Sequence, residues 1–82
     1  MKTEILFFSA PWCVPCSQIK MQLTEEFINS NNIRVIDISE EESQTLVVDY
    51  KVMNVPTFIK LDEEKEVNRK VGSITISGIK NL

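Results

Sequence analysis

The sequence contains no histidine, and its only cysteines are Cys13 and Cys16. Without an imidazole, Ser-His and Cys-His nucleophilic mechanisms are excluded, as is any metal site built on histidine. Chemistry must run on the two thiols, on carboxylates or lysines, or on the single tyrosine, Tyr50. Positive charge is also scarce, since nine Lys and Arg against twelve Asp and Glu leave a net charge of -3. A nucleic-acid binder needs a basic stripe that neutralises phosphates, so no nucleic-acid partner is expected. Nor is there an apolar stretch approaching the roughly 20 residues of a membrane-spanning helix, so no membrane partner is expected. The run Ile5-Leu6-Phe7-Phe8 falls short even of the about 7 to 15 apolar residues of a secretory leader. The chain is therefore expected to act in the cytoplasm, as a monomer. In that compartment a cysteine pair is more often catalytic than structural.

What is present reads as an ordinary globular protein, with 43% hydrophobic and 26% charged residues. Its 82 residues predict one domain over 1–82, above the about 60 residues at which domains already fold alone. Glu4 to Ser9 predicts a strand whose unbroken apolar run is covered on both faces. From Cys16 to about Asn29 the apolar positions Cys16, Ile19, Leu23 and Phe27 step by three and four, which predicts one amphipathic helix ended by Ser30-Asn31-Asn32. Ile33 to Ile38, rich in β-branched residues, predicts a second strand. The acidic run Glu40-Glu41-Glu42 suits the first turn of a helix containing Leu46, Val47 and Tyr50, where carboxylates complement the helix dipole. It is a poor metal site, because adjacent glutamates on a helix point in different directions. Thr57–Leu61 and Glu66–Val71 predict a hairpin around Asp62-Glu63-Glu64-Lys65, whose turn type stays open for want of the usual glycine. Ile74, Ile79 and Leu82 suit one face of a short last helix, in which Gly78 costs about 1 kcal/mol relative to alanine. The order βαβαββα gives an α/β fold with a mixed four-stranded sheet flanked by three helices.

Cys13-Val14-Pro15-Cys16 sits just past the first strand and opens the first helix. A sulfur at a helix N-terminus faces free backbone N–H groups and the positive end of the dipole, and both favour a thiolate. Such settings lower a cysteine pKa from about 8.5 into the range of roughly 3.5 to 7.5. The spacing suits Cys13 as attacking thiolate and Cys16, one turn deeper, as resolving thiol, with Pro15 presetting the backbone. Two other readings compete. Zinc would need two more ligands of Cys or His type, which one chain lacks, although a site shared between two chains stays open. A purely structural disulfide would close so short a loop that it gains little entropy.

Three stretches carry a family resemblance. Trp12-Cys13-Val14-Pro15-Cys16 is similar to the active-site motif of thioredoxins, which usually have glycine where this chain has Val14. Tyr50-Lys51-Val52-Met53-Asn54-Val55-Pro56-Thr57-Phe58 resembles the segment leading into the family's cis-proline, and Val71-Gly72 follows at the usual distance. The family's extra N-terminal strand and helix have no counterpart in these 82 residues. The resemblance implies a thioredoxin-like fold of about glutaredoxin size and reduction of protein disulfides. It implies no cofactor or metal, and a thioredoxin-reductase-type electron donor. It further implies that the Val55-Pro56 bond is cis and lies against the cysteines, leaving the Val55 backbone to pair with an extended substrate. Trp12, with Pro11, Met53, Val55, Val71 and Gly72, would frame a shallow apolar groove for peptides.

The departures from the pattern are as informative. Phe7 stands where the family buries an aspartate that helps deprotonate the resolving cysteine, and Val35 stands where a lysine often accompanies it. Without that pair, burial should raise the Cys16 pKa and slow the resolving step. Val14 in place of glycine should stiffen the loop. A glutathione-coupled, glutaredoxin-like reductase is the nearest alternative, but Val71-Gly72-Ser73 and Val14-Pro15 make a poor glutathione site. A non-catalytic binding module of the same fold is the third reading.

Overall fold

In the computed structural model, which describes residues 2–82, the apolar run near the N-terminus forms the inner strand of a sheet. Strand β1 (Thr3–Ser9) pairs in parallel with β2 (Ile33–Asp37) and antiparallel with β3 (Thr57–Asp62). β3 in turn pairs antiparallel with β4 (Lys65–Val71), so the sheet order is β2-β1-β3-β4. Side chains alternate across a strand, which sends Ile5 and Phe7 to one face and Leu6 and Phe8 to the other. All four are buried, because both faces are covered.

The first face carries helices α1 (Val14–Gln22), α2 (Glu25–Ser30) and α4 (Ile76–Lys80). Cys16 and Ile19 from α1 and Ile79 from α4 pack there against Ile5, Phe7, Ile33 and Phe58, with Phe27 and Ile28 of α2 partly buried beside them. Helix α3 (Gln44–Asp49) covers the second face, where Leu46 and Val47 pack with Tyr50 and Val52 against Leu6, Phe8, Ile36, Ile59 and Leu61. A single 3-10 turn at Glu41–Ser43 leads into α3 and holds two carboxylates of the acidic run. The mixed four-stranded sheet with helices on both faces is thus as the sequence predicts. Among the described residues, no helix is long and apolar enough to cross a membrane.

Among the described residues the expected count of three helices is corrected to four. The helix predicted over Cys16 to Asn29 starts at Val14 and breaks at Leu23-Thr24, both extended in backbone. Thr24 then acts as N-cap, its Oγ1 accepting the Phe27 N–H at 3.0 Å, and Glu25 and Glu26 follow in the favourable first turn of α2. Leu23 and Phe27 both still reach the first core, so the break leaves the apolar stripe intact.

The hairpin between β3 and β4 turns on Glu63 and Glu64, whose φ values of 52° and 69° are both left-handed. That is the type I′ pattern, reached here without glycine. Three residues past the turn, Val67 is squeezed out of the ladder, since Leu61 pairs with Glu66 but Lys60 pairs with Asn68. This bulge shifts the facing of β4 by one residue.

Candidate functional site

A tight turn delivers the first cysteine from the end of β1. The Cys13 N–H donates to the Ala10 carbonyl at 3.1 Å, with Pro11 at the turn position its fixed φ favours. Cys13 then caps α1: its Sγ accepts the Cys16 N–H at 3.2 Å. The Ser17 N–H and hydroxyl both donate to the Cys13 carbonyl, at 3.1 and 3.3 Å. Cys13 and Cys16 are joined by a disulfide, with Cα atoms 5.2 Å apart. Val14 and Pro15 occupy the first turn, where the missing proline N–H is no loss.

Both cysteines are buried, Cys13 at 6% exposure and Cys16 at 0%, and only Cys13 borders a groove. Cys13 lines an apolar groove of about 550 Å³, together with Trp12, Val14, Pro15, Ile38, Met53, Asn54 and Val55. Cys16 is fully buried, in a cluster made of Ile5, Phe7, Ala10, Ile19, Ile33, Phe58 and Ile79 besides the two cysteines. Among the described residues the buried polar ones are Ser9, Ser43 and Thr57, none of them ionisable. Phe7 lies at its centre, its ring stacked on Phe58 with centroids 4.5 Å apart. Val35 is the β2 residue in register with Phe7, and it is 42% exposed.

Of the site residues read from the sequence, Trp12, Cys13, Pro15 and Val55 line the groove, and Met53 joins them. Trp12 is 66% and Met53 89% exposed, so the rim presents large apolar side chains to solvent. Pro56 and Gly72 do not line it. They stand behind its wall: the Val55-Pro56 bond is cis, and the Gly72 N–H donates to the Pro56 carbonyl at 2.8 Å. Gly72 has φ of 98°, which a side chain would strain. Thr57 Oγ1 donates to the Asn54 carbonyl at 2.6 Å and ties the same segment from the other side.

The sequence reading missed Ile38 and Asn54, which come from loops and carry no periodic signal. Ile38 is held where β2 ends, its N–H donating to the Ser9 carbonyl at 2.9 Å. Beside it Asp37 Oδ1 accepts both the hydroxyl and the N–H of Ser39, which hold the Asp37 carboxyl below its usual pKa. Glu40 is shifted the other way, upward, chiefly by the neighbouring charge of Glu42. Among the described residues, no group of three His, Cys, Asp or Glu side chains is placed to hold a metal ion.

Comparison with known proteins agrees with this geometry. Over residues 1–82 the chain matches the sequence pattern of the family described as Thioredoxin. It is similar to Thioredoxin H5 of Oryza sativa subsp. japonica, at 34% identity over 71 residues, covering 87% of this chain and 53% of that protein. The chain thus spans about half the length of this relative. Its fold is similar to a variant thioredoxin from Halobacterium salinarum, with a TM-score of 0.79 and 27% identity, covering 96% of this chain and 69% of that one. Thioredoxin 1 from Thermosipho africanus superposes with a TM-score of 0.76 at 28% identity, covering 95% and 86% of the two chains. Agreement with the family pattern over residues 1–82, a shared fold, and a Cys13–Cys16 pair at a helix start that shares its groove with Val55 lead to one conclusion: this chain belongs to the thioredoxin family.

Proposed function

We propose that the chain is a small thiol-disulfide oxidoreductase that reduces protein disulfides, with Cys13 as nucleophile and Cys16 as resolving thiol. The observation that carries this reading is the asymmetry of the pair: Cys13 caps a helix and opens onto an apolar groove, whereas Cys16 is sealed beneath it. In the reduced protein the Cys13 thiolate attacks one sulfur of a substrate disulfide. The substrate S–S bond breaks, a mixed disulfide forms at Cys13, and the departing substrate sulfur takes a proton. Cys16 then loses its proton and attacks the Cys13 sulfur, which releases the second substrate thiol and leaves the Cys13–Cys16 disulfide. Two electrons have passed to the substrate. A dithiol donor of the thioredoxin-reductase type restores the reduced pair.

Trp12 and the Val55 backbone would hold an extended peptide across the groove, with Pro56 and Gly72 fixing the Val55 segment from behind. Phe7 would seal the pocket under Cys16, and Pro15 would set the first turn of α1. The reading places the protein in the cytoplasm, acting as a monomer on disulfide-containing protein substrates and without a cofactor.

The test is the reduction of a protein disulfide such as that of insulin, driven by a dithiol. Cys13→Ser should abolish turnover, and Cys16→Ser should trap the mixed disulfide. Activity that survives Cys13→Ser would favour a non-catalytic binding module. Equilibration with thiol buffers places the function further. A potential near about -270 mV fits general disulfide reduction, while about -200 to -230 mV fits glutathione-coupled work.

A further inference from the structure

Arg69 lies on β4, outside the groove, yet it reaches the segment that builds one groove wall. Its Nη2 donates to the Tyr50 carbonyl at 2.6 Å. Tyr50 is the C-cap of α3, where carbonyls lack helical partners and a cation suits the negative end of the dipole. The same guanidinium is gripped by Glu66: Nε donates to Oε2 and Nη2 to Oε1, both at 2.8 Å. Residues three apart on a regular strand point to opposite faces. Here the bulge at Val67 restores the match, because Glu66 pairs with Leu61 and Arg69 with Ile59, two residues of the same face. That is the face α3 covers, so the bulge is what aims both side chains at Tyr50.

Beyond Tyr50 the chain turns sharply. Lys51 has φ of 52°, and the Val52 N–H donates back to the Val47 carbonyl at 3.0 Å. Met53, Asn54 and Val55 of the groove wall follow at once. The far end of this segment is tied by Thr57 and Gly72, and its near end by Arg69. We infer that Arg69, braced by Glu66, is a positioning residue for the Met53–Val55 wall and so for the binding of protein substrates. The inference rests on the reading of the groove as the substrate site. Arg69 touches neither cysteine's hydrogen-bond partners nor the groove, so it acts on binding rather than on sulfur chemistry.

Two measurements on the full chain test this. Arg69→Leu keeps most of the stem and removes the charged fork. It should raise KM for a protein disulfide by about tenfold while kcat at saturation stays within about twofold, the signature of lost binding. Its rate with a small aromatic disulfide, which needs no groove wall, should not change. Arg69→Lys, which can still donate to Tyr50 but cannot fork onto Glu66, should recover part of the loss. Hydrogen exchange at the Val52 amide should accelerate in Arg69→Leu while amides of β1 stay protected. Should Arg69→Leu fail to fold, Glu66→Gln loosens only the brace and should raise KM by about two- to threefold.

Unchanged KM in these variants, or an equal loss with the small disulfide, would overturn the inference. So would unchanged exchange at Val52. A wild-type protein that reduces no protein disulfide would instead defeat the groove reading, and the exchange measurement would still decide whether Arg69 holds the segment.

Discussion

Resolution of the mixed disulfide is where this chain should behave differently from a protein with a base under its second cysteine. Once Cys13 is tied to substrate, Cys16 is the only free thiol in the chain, and it is fully buried among aliphatic and phenyl groups. An isolated thiol titrates near about 8.5, and burial in apolar surroundings moves it higher. Burial thus leaves only a small fraction of Cys16 as thiolate near neutral pH. The rate of resolution should follow that fraction and rise about tenfold per pH unit between roughly pH 6 and 8. Reduced protein is mixed with excess small disulfide at pH 5, jumped to each pH, quenched with acid and weighed, so that the decay of the Cys13 adduct is counted directly. Phe7→Asp places a carboxylate in the same cluster and should flatten the profile. General bases contribute about 10²- to 10⁴-fold. That variant loses a buried phenyl and its Phe58 stack, at about 3–5 kcal/mol. The profile of the unaltered chain therefore carries the test. A rate independent of pH across that range would refute the reasoning.

Three further outcomes concern stability. Gly78→Ala should destabilise by about 1–3 kcal/mol in urea titration, because its Cβ would lie 2.6 Å from Ile74 Cγ1, although helix propensity alone predicts a gain of about 1 kcal/mol. Glu64→Gly should stabilise by about 0.5–1 kcal/mol, since it relieves a left-handed φ of 69° while leaving Glu63 in place; an unchanged midpoint would show that the turn is not strained. The Arg69 hydrogen bonds hold the Glu66 carboxyl below its ordinary pKa. That pair's contribution is complete above the unfolded value near about 4.3 and is lost as pH falls through the lower folded value. Acid titration of Arg69→Leu should accordingly show a flatter fall in stability below about pH 4.5 than the parent chain.

The elements that position the site were legible because single residues settled them. Four consecutive apolar residues at Ile5–Phe8 pointed to a strand covered on both sides, and two cysteines three apart just past its end pointed to a helix start. The break at Thr24 was not read, because Leu23 and Phe27 keep step with one continuous helix. The signal was nonetheless present in Thr24-Glu25-Glu26, a capping residue followed by two acids. The turn at Glu63-Glu64 was hidden for the opposite reason, since no glycine marks its left-handed backbone. Gly78 was read as a weak point of its helix, whereas the approach of Ile74 gives it a packing role that only the tertiary structure contains. Arg69 was invisible as part of the site, because its direction depends on a one-residue slip in the pairing of β3 and β4.

The central place of β1 also matters while the chain is being made. Its apolar run leaves the ribosome before either neighbouring strand, and Phe7 waits for Phe58, 51 residues later, to complete the sheet. At about 5–20 residues per second that interval lasts roughly 3–10 s. During it a segment of high β-propensity, low charge and no proline has no antiparallel partner of its own. Chains truncated before Pro56 should therefore be cleaved within β1 by limited proteolysis, and the step most exposed to misassembly is the wait for the hairpin rather than the docking of any helix.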